Sequence, residues 1–196
     1  MSHLLPFLLF ALVASITPGP TNLLVLGTAA RHGLGAALPI VLGASLGASG
    51  LLLAVGLGLG ELLVQQPRLQ QVMAALGLLW LTHLAWRIYH SPTSVSAADA
   101  PRPQPSLGLL AGAGLQLINP KSWMMALAVV SLFRHGTLPI ALLALLFLLV
   151  ALPCLGLWAW LGAASARFLH SPARIKGFNQ AMALLLLASA GLSLLA

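Results

Sequence analysis

The sequence predicts an all-α integral membrane protein of six transmembrane helices, built as two inverted three-helix repeats with helices one and four broken at the midplane. Three observations carry this expectation. Hydrophobic residues make up 60% of the 196 and charged residues only 6%, where a soluble domain is about a quarter charged. Apolar runs long enough to cross a bilayer, about 20 residues each, recur along the whole chain. One long polar stretch divides them three and three.

The first segment, about 4–30, has no Lys or Arg ahead of its apolar run. A secretory signal normally carries that positive start, so the segment reads as a retained membrane helix. Inside it lies "SITPGPTNLL", residues 15–24. Pro18 and Pro20 each remove a backbone N–H, and Gly19 admits conformations that a helix does not hold. Carbonyls freed there cannot face lipid, since each unsatisfied group costs several kcal/mol. Such a break persists only where it lines a polar cavity or is capped by neighbours, and Thr17, Thr21 and Asn22 supply polar groups for that purpose.

The second segment, about 36–60, contains "GASLG" over 43–47 and ends at Glu61. The pentapeptide fits G-x-S-x-G, which would make Ser45 a nucleophile with His83 as its base. That motif works on a strained strand-to-helix turn, and this one lies within a continuous apolar helix. Gly43 and Gly47 equally fit G-x-x-x-G, where small residues let helices approach closely, so packing is the stronger reading. The third segment, about 69–90, holds His83 and ends in "RIYHSP" (87–92). Residues 91–106, "SPTSVSAADAPRPQPS", read as a polar cytoplasmic linker between repeats 1–90 and 107–196.

The fourth segment, about 107–132, is interrupted by "QLINPKSW" (116–123). About 11 residues from Leu107, at ~1.5 Å each, span half of a ~30 Å core, which sets Asn119, Pro120 and Lys121 near the midplane. Lys121 is the only charged residue well inside any span. A central Lys costs about 2.5–3.5 kcal/mol on insertion scales, which makes it a functional candidate by default. Its bland alternative is structural pairing with carbonyls of the other break. The fifth segment, about 138–163, holds Cys154 beside Pro153, read as a small buried residue, and is followed by "RFLHSP" (167–172); the sixth is about 178–196.

Loops after segments one, three and five carry Arg31, Arg87, Arg102, Arg167, Arg174 and Lys176, whereas those after two and four carry Arg68 and Arg134. The imbalance places the first set in the cytoplasm and both termini outside. The two Arg-x-x-His-Ser-Pro endings suit helix C-termini and should share one side. Arg-His-Gly precedes Leu-Pro-Ile twice, over 31–40 and 134–140, and Pro20 is matched by Pro120. Three helices per repeat is odd, so the second copy must be inverted, a recurring transporter design.

One cysteine excludes an internal disulfide, and six scattered histidines give no metal-ligand set. No cofactor is implied. The net charge of +7 belongs to short loops flanking membrane spans and does not point to nucleic acid.

"TPGPTNLLVL", "LGASLG", "HLAWRIYHSP" and "LQLINPKSWMMAL" resemble the lysine exporter superfamily of amino-acid efflux proteins. Among its branches they are most similar to the cysteine and O-acetylserine exporters or the neighbouring homoserine and threonine exporters. The resemblance covers essentially the whole chain. It implies a six-helix transporter of the bacterial inner membrane, driven by the proton gradient as an antiporter. The family's Thr-Pro-Gly-Pro matches Thr17–Pro20, and its Asn-Pro-Lys matches Asn119–Lys121. The chain departs at Thr21, where relatives commonly carry the first Asn of a pair, and at His83, so no single substrate is carried over.

Asp99 in the linker and Glu61 are the only acidic residues. A site for lysine or arginine needs a buried anion to balance the second positive charge; a zwitterion does not. Its carboxylate can face Lys121 or a half-helix N-terminus, and its ammonium the carbonyls around Pro18–Pro20. The expected substrate is therefore a small neutral amino acid, bound by Thr17, Pro18, Gly19, Pro20, Asn22, Asn119, Pro120 and Lys121, with protons as coupling ion. Coupling candidates are Lys121, His83 and Glu61, since such relays use carboxylates or imidazole, although a hydrogen-bonded packing role suits His83 better. Alternatives are a basic amino-acid exporter and a non-transporting membrane assembly subunit, and a homo-oligomer is left open.

Overall fold

A computed structural model of the chain describes residues 4–61, 65–91, 108–133, 138–169 and 171–195. Its elements, in order, are α1 (Leu4–Ile16), α2 (Pro20–His32), α3 (Leu34–Ala54), a π-helical turn (Val55–Leu59), α4 (Pro67–Tyr89), α5 (Leu109–Ile118), α6 (Pro120–Phe133), α7 (Ile140–Ala166) and α8 (Pro172–Leu195). Prolines open four of these helices, at positions 20, 67, 120 and 172. A proline at the first helical position loses nothing, because its missing N–H would have had no partner there. Gly33, at φ 82° and ψ 171°, takes a positive-φ conformation open to glycine where α2 ends, and its N–H returns to Ala29 O.

Among the described residues, two helices are long and apolar enough to cross a membrane, Leu34–Leu59 and Ile140–Ala166. The pair α1 and α2, bent by 52° at its break, makes a third when counted as one span. Helices α5 and α6 are shorter apolar helices on either side of the second break. With 23 and 24 residues, α4 and α8 are each about 35 Å long by their rise alone. The linker expected over 91–106 lies, after Ser91, outside the described residues. So do Asp99, Arg102, the second Arg-His-Gly (134–136) and His170.

In lipid, helices associate through close packing and hydrogen bonds, since the tails are as apolar as leucine. The glycines of α3 serve that packing. A Cβ at Gly47 would lie 2.6 Å from Ala113 O, and one at Gly112 would lie 2.9 Å from Ile40 O. Gly43 meets the backbone of Leu109 in the same way. Backbones of α3 and α5 thus touch through Gly-x-x-x-Gly, with Ser45 fully buried in the interior of α3. Gly162 of α7 similarly meets Leu26 and Ala29 of α2.

These contacts fix which ends lie together. The rings of Phe7 and Phe133 stand 5.4 Å apart, edge to face, and Gly56 faces Ile140. The start of α1, the end of α3, the end of α6 and the start of α7 therefore share one end of the bundle. At the other end, Asn179 Nδ2 donates to Ser91 O at 3.4 Å. Arg31, Arg87, Arg167, Arg174 and Lys176 gather there, at the ends of α2, α4 and α7 and the start of α8. Between the two ends lie both helix breaks.

Candidate functional site

A helix satisfies each carbonyl with the N–H four residues on, so a break leaves carbonyls that must find other donors. Prolines 18 and 20 remove the donors for Ala14 and Ile16, and the turn at Gly19 removes those for Ser15 and Thr17. Side chains replace them. Asn22 Nδ2 donates to Ser15 O at 2.8 Å, Trp158 Nε1 to Ile16 O at 3.2 Å, and Lys121 Nζ to Thr17 O at 2.7 Å. The Thr17 hydroxyl donates to Val13 O and lies 3.5 Å from Ala14 O. At the second break, Trp123 Nε1 donates to Leu117 O at 2.8 Å.

The second break begins a helix as much as it ends one. Asn119 Oδ1 accepts from the Lys121 N–H at 3.1 Å, so Asn-Pro-Lys is a side-chain cap followed by proline at the first helical position. The other end of the same amide, Nδ2, donates to Thr21 Oγ1 at 3.1 Å. Thr21 Oγ1 also accepts from Gln116 Nε2 at 3.2 Å, and Gln116 Oε1 accepts from Ser122 Oγ at 2.7 Å. Thr21, Gln116, Asn119 and Ser122 are all buried. The two breaks are thus packed on one another through a buried polar network.

Electrostatics concentrates positive potential at this crossing. The Lys121 stem runs over Gly19, where a Cβ would lie 2.9 Å from Lys121 Cδ and 3.1 Å from its Nζ. Gly19 is the residue that precedes α2, in extended conformation at φ −161°. The ammonium therefore sits at a helix N-terminus, which carries partial positive charge and favours anions. Its recorded partner is a neutral carbonyl. Glu61, the only acidic residue among the described residues, lies just beyond the π-helical turn that follows α3.

A model of the family described as LysE type translocator matches residues 12–196. The chain belongs to this family. A cysteine/O-acetylserine efflux protein of Klebsiella pneumoniae subsp. pneumoniae is 30% identical to it over 156 residues, which are 79% of this chain and 78% of the relative. The protein of the same description from Salmonella choleraesuis is 32% identical over 128 residues, 65% of this chain and 63% of the relative. No solved structure matches.

In this LysE-type translocator, the residues singled out at the two breaks come together. Gly19, Pro20, Asn22 and Asn119 are buried, Pro120 and Lys121 half-buried, and Thr17 and Pro18 exposed. His83 lies apart from the buried network, exposed on α4 with its ring 6.1 Å from that of Trp80. Cys154 is buried and free.

Five participants were not singled out as site residues: Thr21, Gln116, Ser122, Trp123 and Trp158. Gln116 and Asn119 stand three apart on α5 and its cap, one turn along the same face, and that spacing of two amides in an apolar run was a legible signal. Trp158 carries none, because its partner Ile16 is 142 residues away. The void beside Ser122, lined by Ala48, Leu52, Met125, Ala126, Val129 and Phe147, has no room for a water molecule.

Proposed function

We propose that this chain is a secondary active exporter of small neutral amino acids or their derivatives, of the cysteine, O-acetylserine, homoserine or threonine type, coupled to protons. The observation that carries the proposal is the Lys121 ammonium held at the N-terminus of α2 by Thr17 O at 2.7 Å. A cation beside a helix N-terminus is poorly placed by itself, and both favour an anion arriving between them. A substrate carboxylate would take Lys121 from Thr17 O, and that carbonyl would then be free to accept the substrate ammonium. The crossing therefore suits a zwitterion. Among the described residues no carboxylate stands at the crossing for a second cationic group, which favours neutral over basic substrates. The names of the relatives agree with this reading.

Six spans in two inverted repeats, 1–90 and 107–196, are the proposed architecture. The packing pattern supports it. The first span of each half (α1–α2, α5–α6) lies against the second span of the other (α7, α3), while α3 pairs with α7 and α4 with α8. Rocking of one repeat against the other would expose the crossing alternately to each side of the bacterial inner membrane. The end rich in Arg and Lys would be cytoplasmic and both termini outside. On this reading the closely packed breaks correspond to a closed state of the cycle.

The test uses purified protein in liposomes with an imposed or collapsed pH gradient, offered labelled cysteine, O-acetylserine, homoserine, threonine, leucine, lysine and arginine. Gradient-dependent movement of a neutral member, lost in Lys121→Met, is the expected result. Movement of lysine or arginine would overturn the charge argument. No movement of any of them, from folded protein, would favour a non-transporting assembly subunit.

A further inference from the structure

The turn between α7 and α8 collects positive charge that helix stability does not explain. Arg167 follows the last residue of α7, and Arg174 and Lys176 stand at the start of α8, all three exposed. Cations suit a helix C-terminus, and Arg167 follows that rule. Arg174 and Lys176 lie at the opposite kind of end, where the helix dipole works against them. Arg174 Nη1 donates to Phe168 O at 3.3 Å, which draws its guanidinium onto the turn that Arg167 begins. Like charges are thus held on one short turn, and the acceptor is a neutral carbonyl.

The chain has too few carboxylates to neutralise this turn. Its sequence holds two acidic residues, Glu61 and Asp99. Glu61 lies at the far end of the bundle. Asp99 is one carboxylate against three cations, so the turn keeps a net positive charge wherever Asp99 stands.

The surroundings favour one occupant. Helix α7 is long and apolar enough to cross a membrane. Its 27 residues measure about 40 Å against a hydrocarbon core of ~30 Å, so Arg167 and Phe168 reach the headgroup layer. Leu157 and Leu161 are exposed along one stripe of α7, and Phe168, 64% exposed, continues it. An apolar stripe that ends in a cationic turn is complementary to a phospholipid. Its chains lie against the leucines, and its phosphate meets guanidinium groups, which bind phosphate oxygens through paired N–H donors.

We infer that the α7–α8 turn is a docking site for an anionic phospholipid, its phosphate held by Arg167, Arg174 and Lys176 and its chains along α7. The inference requires a membrane setting but no particular substrate or direction of transport.

Native mass spectrometry of the full chain, released from detergent micelles doped with phosphatidylglycerol or phosphatidylcholine, tests it. The wild type should retain phosphatidylglycerol at least about fivefold more tightly than phosphatidylcholine. A Lys or Arg near an anionic surface contributes about fivefold to binding. Arg174→Gln and Lys176→Gln should each weaken retention by that factor, and Arg174→Lys by less than about twofold. Lys176 has no partner among the described residues, so Lys176→Gln keeps the test open if Arg174→Gln fails to fold. Two controls lose the same charge elsewhere: Arg68→Gln at the far end and Arg87→Gln at the basic end should leave retention unchanged. A loss in either control equal to that in Arg174→Gln would mean diffuse attraction to a cationic protein and would overturn the site. Equal retention of the two lipids by the wild type would overturn it as well. Displacement of phosphatidylglycerol by glycerol phosphate would give the turn to a soluble phosphate and overturn the lipid assignment. None of these readouts depends on transport, so failure of the exporter reading would leave the docking site standing.

Discussion

Lys121 Nζ donates to Thr17 O across 104 residues of sequence, at 2.7 Å, and so ties the second helix break to the first. One side chain both satisfies a carbonyl that the first break frees and brings a positive charge to the N-terminus of α2. Lys121→Met separates these tasks from the rest of the fold, because methionine keeps much of the stem and removes the charge. A charged hydrogen bond is worth about 1.5–3 kcal/mol, so transport into liposomes should fall about 10- to 100-fold. The protein should still insert and elute as folded, since methionine keeps much of the stem that packs over Gly19. Unchanged transport would assign Lys121 to structure alone.

Two glycines predict opposite outcomes for the same added methyl group. At Gly19 the added carbon meets the flexible Lys121 stem, 2.9 Å from its Cδ. Gly19→Ala should therefore fold, with a stability loss below about 1 kcal/mol, and should impair transport by pushing the ammonium off Thr17. At Gly47 the carbon meets the backbone of Ala113 at 2.6 Å, which cannot yield without moving α5. Gly47→Ala should cost about 1–3 kcal/mol as overpacking. Thermal unfolding in detergent, measured beside transport, distinguishes the two.

The break residues were legible because proline and glycine act locally: they stop one helix and open the next wherever they stand. The same logic located Pro20 and Pro120, and the Gly-x-x-x-Gly contact of α3. Lys121 was legible from the cost of its charge at mid-segment. What could not be read was the partner of each group. Nothing near Ile16 names Trp158 as its donor, and nothing near Thr21 names Gln116 and Asn119, because those pairings depend on how distant helices cross. His83 stood beside Lys121 as a coupling candidate in sequence, with a hydrogen-bonded packing role the stronger reading for it. It differs in facing outward beside Trp80, a matter of helix rotation that the surrounding apolar run leaves undetermined.

Thr21 accepts two side-chain hydrogen bonds, and both donors are buried. Thr21→Val keeps the shape and removes the acceptor, leaving the Gln116 and Asn119 amides each short of a partner. A buried donor without a partner costs about 1–3 kcal/mol, so the unfolding midpoint in detergent should drop clearly. Adding Gln116→Leu to the variant removes one stranded donor along with the missing acceptor. The double variant should then be less destabilised than the sum of the two single ones, by about 0.5–3 kcal/mol. Strict additivity would mean that the network does not act as a unit.

The gathering of basic residues at one end makes the orientation testable with surface chemistry. Cys154 is the only cysteine and is buried, so Cys154→Ala gives a background without a competing thiol. Gln65 and Lys176 are exposed, Gln65 at the Glu61 end and Lys176 at the basic end. In cells, a membrane-impermeant maleimide should label Gln65→Cys directly and Lys176→Cys only after permeabilisation, because segments rich in Lys and Arg stay cytoplasmic. The reverse pattern would turn the molecule over and place the Glu61 end on the cytoplasmic side. Labelling of both positions in intact cells would contradict a single orientation, as a dual-topology pair of copies would require.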